Sequence, residues 1–217
     1  MHRKILMTAL AVPAALMLAA TAATGATAAP TASTAASAHE VRDGHTFTAK
    51  LNPVVGNHVT GSGWASVTLH GDMATITMHV RGLILAPHAA HIHFKGEGEC
   101  PDVKDLSLHN GHLSMSTTDG APDYGPIGTS LTTRGDTSPA SALAITRFPQ
   151  VGTYTYVRTI KLTDAVAHAV RTNNAVIVVH GIDYNHTSKY DNVLGVSDLN
   201  NTLPMEATSP AICGPLS

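Results

Sequence analysis

Between residues 63 and 70, and again between 74 and 80, apolar and polar side chains alternate, and His70-Gly71-Asp72-Met73 joins the two runs. Successive side chains on a strand point to opposite faces, so a period of two gives one buried and one solvated face, and the turn folds the pair into a hairpin. Further runs of strand-like composition lie at 46–51, 88–94, 143–148, 153–162 and 175–180, the last of them continuously apolar through Val176-Ile177-Val178-Val179. Only 163–170 reads differently, with Thr163 as an N-cap candidate ahead of an alanine-rich stretch that has apolar residues at helical spacing. The pattern predicts an all-β, antiparallel sandwich or barrel with one short helix.

At the N-terminus Arg3 and Lys4 precede an apolar run from Ile5 to about Ala20, and Ala26-Thr27-Ala28 supplies an A-x-A cleavage site. Pro13 interrupts the run, which falls short of the roughly 20 apolar residues a bilayer span needs. Residues 1–28 are read as a secretory signal peptide, 29–42 as a flexible Ala/Ser/Thr-rich leader, and 43–217 as one domain large enough to bury a core. The expected location is therefore extracellular, with no membrane attachment after cleavage. Cys100 and Cys213 are the only cysteines, and an even count in an exported chain predicts a disulfide tying the C-terminus to the middle of the domain. Cys100 sits in a long stretch, 95–132, rich in Gly, Asp, Pro and Ser, which predicts an ordered functional loop held by that bond.

A formal net charge of −2 and the lack of any Lys/Arg stripe exclude nucleic acid and anionic membrane as partners. No nucleophile elbow and no phosphate-cradling glycine loop occurs, and three Phe with one Trp are too few for an aromatic platform. Histidine is the unusual component: 14 against 13 Lys and Arg together. His45, His58, His70 and His168 fall at strand ends, in loops or on the helix, where a solvated ring is the ordinary outcome.

The segment His88-Ala89-Ala90-His91-Ile92-His93-Phe94 is different, because on a strand His91 and His93 share one face while Ile92 faces the core. Two imidazoles can then reach one metal ion. His180, at the end of the apolar run, is the third candidate ligand and is expected to emerge from the core at a shallow site. His109 and His112 in the long loop are additional candidates, and Asp183 is a candidate to orient His180 from behind.

Several of these segments resemble the copper/zinc superoxide dismutases: Gly61-Ser62-Gly63-Trp64 through Val80-Arg81-Gly82-Leu83 to His88-Ala89-Ala90-His91-Ile92-His93, then Val178-Val179-His180, and Ala211-Ile212-Cys213-Gly214 with Cys100. The resemblance implies a Greek-key β-sandwich, His91, His93 and His180 as copper ligands, and His88 as a structural histidine beside them. It departs in two places. The family's catalytic arginine, three residues before the second cysteine, is replaced by Pro210, and the zinc loop has no histidine across 119–128, so a zinc site is not expected. A longer stretch, including Tyr124-Gly125-Pro126-Ile127, Leu131-Thr132-Thr133-Arg134-Gly135-Asp136-Thr137 and Ala175 through Asp183, is similar to exported bacterial proteins with the chordin-type CHRD domain, and the two resemblances can describe one fold.

Three functions follow as expectations. The first is a secreted CHRD-type, dismutase-like protein that binds copper without efficient dismutation. The second is a copper-dependent dismutase acting on superoxide, in which Arg134 or Arg147 replaces the missing charge. The third is a metal-free structural or interaction domain. Oligomeric state is left open.

Overall fold

The computed structural model describes residues 44–217; the stretches expected to be a signal peptide (1–28) and a leader (29–42) lie outside the described residues, as does Asp43. Ten strands and three short helices run in the order β1 (His45–Pro53), β2 (Ser62–His70), β3 (Met73–Arg81), β4 (Ala90–Phe94), β5 (Ser107–His109), β6 (His112–Ser114), α1 (Thr117–Tyr124), β7 (Ile127–Ser130), β8 (Tyr154–Lys161), α2 (Asp164–Arg171), β9 (Ala175–His180), α3 (Met205–Thr208) and β10 (Pro210–Pro215). Eight strands form one antiparallel sheet in the order β7-β4-β9-β10-β1-β2-β3-β8, curled into a half-barrel, and β5-β6 form a separate hairpin. The all-β sandwich or barrel expected from the pattern is the fold observed.

The β2-β3 hairpin closes at Gly71-Asp72, with His70 opposite Met73. Alternation places Ala65, Val67, Leu69, Ala74, Ile76, Met78 and Val80 on the inner face, where they meet Ile92, Leu131, Ile177 and Val179 from the other half of the sheet. Strand β9 is buried along its whole length because it is covered on both sides. Ala175, Ile177 and Val179 join the main core, while Val176 and Val178 face outward into a second cluster with Val54, Met115, Tyr124 and Cys213.

Edge strand β8 is tied by its side chains to the loop that follows the other edge strand, β7. Arg158 on β8 donates from Nη1 to the Thr132 carbonyl (2.8 Å) and from Nη2 to the Gly135 carbonyl (2.6 Å), and Tyr156 Oη donates to Thr132 O (3.3 Å). Unpaired backbone at a sheet edge invites pairing with other chains, and this contact covers part of it.

Two details differ from expectation: the run 143–148 and the number of helices. Residues 143–148 form a loop ending in a 3₁₀ turn at Ile145–Arg147 instead of a strand, and Leu143 and Ile145 are 36% and 43% exposed, so no sheet neighbour takes their side chains. The helix at 163–170 is present as α2, capped by Thr163 Oγ1, which accepts from Val166 N. It is joined by α1 and α3. Helix α1 lies inside the long loop and is started by a reciprocal cap, in which Ser116 Oγ accepts from Asp119 N and Asp119 Oδ2 accepts from Ser116 N. The long loop is thus a compact second layer containing β5, β6 and α1, with β7 at its end.

That layer is fastened to the outer face of the sheet by the Cys100–Cys213 disulfide, as expected. Asn57 adds a buried clasp: its amide donates to the carbonyls of Met115 (3.0 Å) and Pro210 (2.8 Å) and accepts from Met115 N (2.8 Å). Opening a crosslink across 113 residues costs about 4 to 5 kcal/mol on chain-entropy grounds. The paired change Cys100→Ser with Cys213→Ser should lower stability in urea by about that amount, and thiol titration of the denatured, unreduced wild type should find no free cysteine.

Candidate metal centre

Strand pairing explains how three histidines from two distant segments meet. His91 on β4 lies opposite Val178 on β9, and His93 opposite Val176. His180 follows Val178 by two residues and therefore shares its face, so all three imidazoles stand on the outer side of the sheet while Ala90, Ile92, Ile177 and Val179 fill the inner side. The ring centroids are 5.1 Å apart for His91 and His180, 5.7 Å for His91 and His93, and 5.8 Å for His93 and His180.

The second layer covers this face. His91, His93 and His180 are only 2%, 1% and 3% exposed, so the site is not the shallow strand-end site expected from sequence but a buried one. Tyr124 packs its ring against His93 at 4.6 Å and Phe148 packs edgewise on His91 at 5.7 Å.

Each ring has one nitrogen tied to a backbone carbonyl. His91 Nε2 donates to Ala142 O (3.2 Å), His93 Nδ1 to Gly125 O (2.8 Å) and His180 Nδ1 to Thr208 O (2.7 Å). A carbonyl can only accept, so the tautomer of every ring is set, and the opposite nitrogen carries a lone pair. Those opposite nitrogens, His91 Nδ1, His93 Nε2 and His180 Nε2, are buried and have no hydrogen-bond partner. One ligand atom from each residue lies within 4.8 Å of the others. Three converging lone pairs, each ring oriented by a carbonyl behind it, are the arrangement a metal ion requires.

Burial favours the uncharged rings. It holds His91 well below the ordinary value of 6.5, with His180 and His93 adding repulsion, and pushes His93 down to about 3 and His180 down to about 4. The site is therefore deprotonated and ready to bind at neutral pH.

The other sequence candidates take different places. His88 is fully buried beside the triad and sets Nδ1 2.9 Å from the His180 carbonyl and Nε2 3.0 Å from the Ile84 carbonyl, clipping the preceding loop to the end of β9. Gly181 has φ +101°, and a Cβ there would strike Tyr190 Oη and His88 Nδ1. His109 does not join the triad; its Nε2 lies 2.6 Å from Asp119 Oδ2 at the α1 cap. His112 packs edgewise on Tyr184 instead. Asp183 does not orient His180: it accepts from the amides of Thr187 (2.8 Å) and Ser188 (2.9 Å), and Thr208 O holds the ring in its place.

Sequence reasoning missed the residues behind the rings. Ala142, Gly125 and Thr208 act through backbone carbonyls, which leave no side-chain signature. Glu206 is fully buried and accepts from Tyr184 N (2.7 Å) and Asp191 N (2.6 Å), anchoring the loop that leads to Thr208. The Ser116–Asp119 spacing, a capping-box pattern, is a local signal by which the start of α1 could have been found.

His91 and His180 also form part of the wall of a cavity of about 220 Å³ whose other walls include Leu143, Ile145, Leu199 and Leu203. No protein-family model and no curated protein matches this chain. No helix among the described residues is long and apolar enough to cross a membrane.

Two predictions follow from the geometry. Because the folded rings titrate below 6.5, the unfolded chain binds more protons as pH falls from about 6.5 toward 4, and the metal-free protein should lose about 1.4 kcal/mol of stability per pH unit for each imidazole in that window. Urea titrations at pH 7, 6 and 5 measure the slope; equal stability at all three would contradict neutral buried rings. Gly125 has φ +80° and ψ −175°, and a Cβ would run into the Phe94 carbonyl. Gly125→Ala should therefore cost about 2 kcal/mol or more and displace the carbonyl that holds His93, whereas Gly71→Ala, with φ +61° in open space, should cost about 1 kcal/mol in thermal denaturation.

Proposed function

We propose that this protein is an exported copper-binding domain, of the CHRD type on a superoxide dismutase-like scaffold, which holds copper on His91, His93 and His180 without efficient dismutation of superoxide. The reading rests on one observation: three buried imidazole nitrogens that accept no hydrogen bond and lie within reach of a common ion. A buried acceptor left unpaired costs about 1 to 3 kcal/mol, so three together need a ligand that uses them. Imidazoles suit copper, and affinity along the divalent series rises toward Cu(II). The disulfide leaves no thiolate among the described residues to favour a softer site.

Copper, when bound, supplies one-electron redox chemistry. The chain's own part is to present three fixed lone pairs and to keep water away with Tyr124, Phe148 and the covering layer. The segments His91-Ile92-His93 and Val178-Val179-His180, which carry the resemblance to the dismutases, contribute all three rings, and this supports the scaffold assignment.

Holding is favoured over turnover by the lack of positive charge along the approach. Pro210 pairs with His180 across β9 and β10 at the position where the dismutases have their arginine. Arg147 donates to Ser141 Oγ (2.7 Å) and Asp136 O (3.2 Å), and Arg134 to Thr146 O (3.4 Å); neither lines the cavity beside the triad. An anion such as superoxide is therefore not steered inward.

Copper titration of the metal-stripped, gel-filtered protein should give one ion per chain. Asn in place of His93 or His180, and Gln in place of His91, return an amide nitrogen to the carbonyl while removing the lone pair. His93→Asn, His180→Asn and His91→Gln should each weaken copper by more than the roughly 10- to 100-fold that loss of an orienting partner costs, with the fold retained by circular dichroism. Unchanged affinity in all three would overturn the triad as the site, and rapid superoxide turnover by the loaded wild type would make the protein an enzyme instead.

A further inference from the structure

Away from the metal centre, the solvent face of β1, β2, β3 and β8 carries a groove of about 650 Å³, within the roughly 300 to 1,000 Å³ of ordinary ligand sites. None of its lining residues belongs to the histidine triad. Strand register builds it: Lys50, Trp64, His79 and Thr155 stand in one row across the four strands, on the face turned away from the core. Trp64, the only tryptophan of the chain, is 49% exposed, and its indole leans on the His79 ring with centroids 4.3 Å apart. Thr155 Oγ1 lies 2.9 Å from His79 Nδ1 and braces that ring in turn. One indole supported in this way is a single stacking position, not the extended aromatic platform for which the composition is too poor. Charge is one-sided here. The four strands contain no Asp or Glu, and Lys50 and Arg81, which both line the groove, have no carboxylate partner among the described residues. Arg81 gives Nε to Ser62 Oγ (3.2 Å), which leaves the outer end of its guanidinium to a ligand.

The surroundings narrow the choice of occupant. Strands β2 and β3 are paired along both edges, so an extended peptide finds no open backbone there to add to. The two rows beside the groove, from Thr48 to Val157 and from Thr46 to Thr159, carry a hydroxyl at every position except Val157. An exposed aromatic face, two cations without acids and a field of hydroxyls call for a ligand that has an apolar C–H face, negative charge and many hydroxyls of its own. We infer that this face binds an acidic oligosaccharide, a chain of sugars bearing carboxylates. One pyranose ring lays its weakly positive C–H bonds on the negative face of the Trp64 indole. Its carboxylate meets the planar fork of Arg81, which matches a carboxylate in shape, while Lys50 serves the carboxylate of a neighbouring sugar. Further sugars lie over the threonine rows. The inference is independent of the copper reading.

The single tryptophan makes the site its own reporter, because indole fluorescence can come from nowhere else in the chain. Trigalacturonate is the probe; its methyl ester, which keeps the sugars and loses the charge, and triglutamate, which keeps the carboxylates and loses the sugars, are the comparisons. Trigalacturonate should change the fluorescence saturably and bind about tenfold more tightly than either comparison, the difference that one charged hydrogen-bonded pair supplies. Added salt should weaken the acid and leave the ester unchanged. Arg81→Gln and Lys50→Gln should each bring the acid toward the affinity of the ester without altering the ester itself. Trp64→Ala, followed by calorimetry and with the fold checked by circular dichroism, should abolish binding of both sugars. Lys161→Gln is the control, since Lys161 is an exposed cation of the same sheet already paired with Asp72 (3.2 Å), and it should change nothing. Equal affinity for acid and ester, triglutamate binding as tightly as trigalacturonate, binding retained in Trp64→Ala, or an equal loss in Lys161→Gln would each refute the inference.

Discussion

The covering of one face of β4 and β9 by the layer between Cys100 and Gly125 governs everything else in this molecule. An antiparallel sheet can leave one face to water, and had this one done so, His91, His93 and His180 would be three solvated rings able to protonate near neutral pH. Instead Met115 and Tyr124 pack on Val176 and Val178, the disulfide fastens the layer to β10, and Asn57 clasps Met115 and Pro210. Removing water turns the rings into neutral acceptors whose remaining nitrogens have nowhere to turn but toward one another.

The same dryness creates a cost that the site retains. Three unpaired nitrogens in a low-dielectric pocket are unfavourable for the empty fold, and the surrounding contacts must outweigh that penalty. The main core does so from the other side of the sheet, where Ile92, Ile177 and Val179 fix the backbone from which the histidines project. The three unpaired nitrogens are thus gathered on one face, beside an apolar cavity lacking charge.

Much of this was legible in the chain. Alternation at 63–70 and 74–80 specified the central hairpin, the unbroken apolar run 176–179 specified a strand buried on both sides, and the His-x-His spacing put two rings on one face. Thr163 marked the start of α2. The run 143–148 misled because Leu143 and Ile145 have strand-like chemistry but serve as the rim of a cavity, a role that leaves no periodicity. His109 and His112 misled for a different reason: composition cannot distinguish a histidine that braces a helix cap from one that faces an ion.

What the sequence by itself determined is therefore part of the local grammar: that 63–70, 74–80 and 175–180 extend, that Thr163 starts a helix, which two cysteines pair, and that His91 and His93 look the same way. Pairing of β4 with β9, and the resulting placement of His180, belonged to the tertiary structure, because sheet register joins residues nearly ninety apart through backbone groups that every sequence shares. So did the tautomers. Ala142, Gly125 and Thr208 contribute carbonyl oxygens whose chemistry is the same in any residue, and only their placement in space turns three ordinary imidazoles into a cluster that could hold a metal ion.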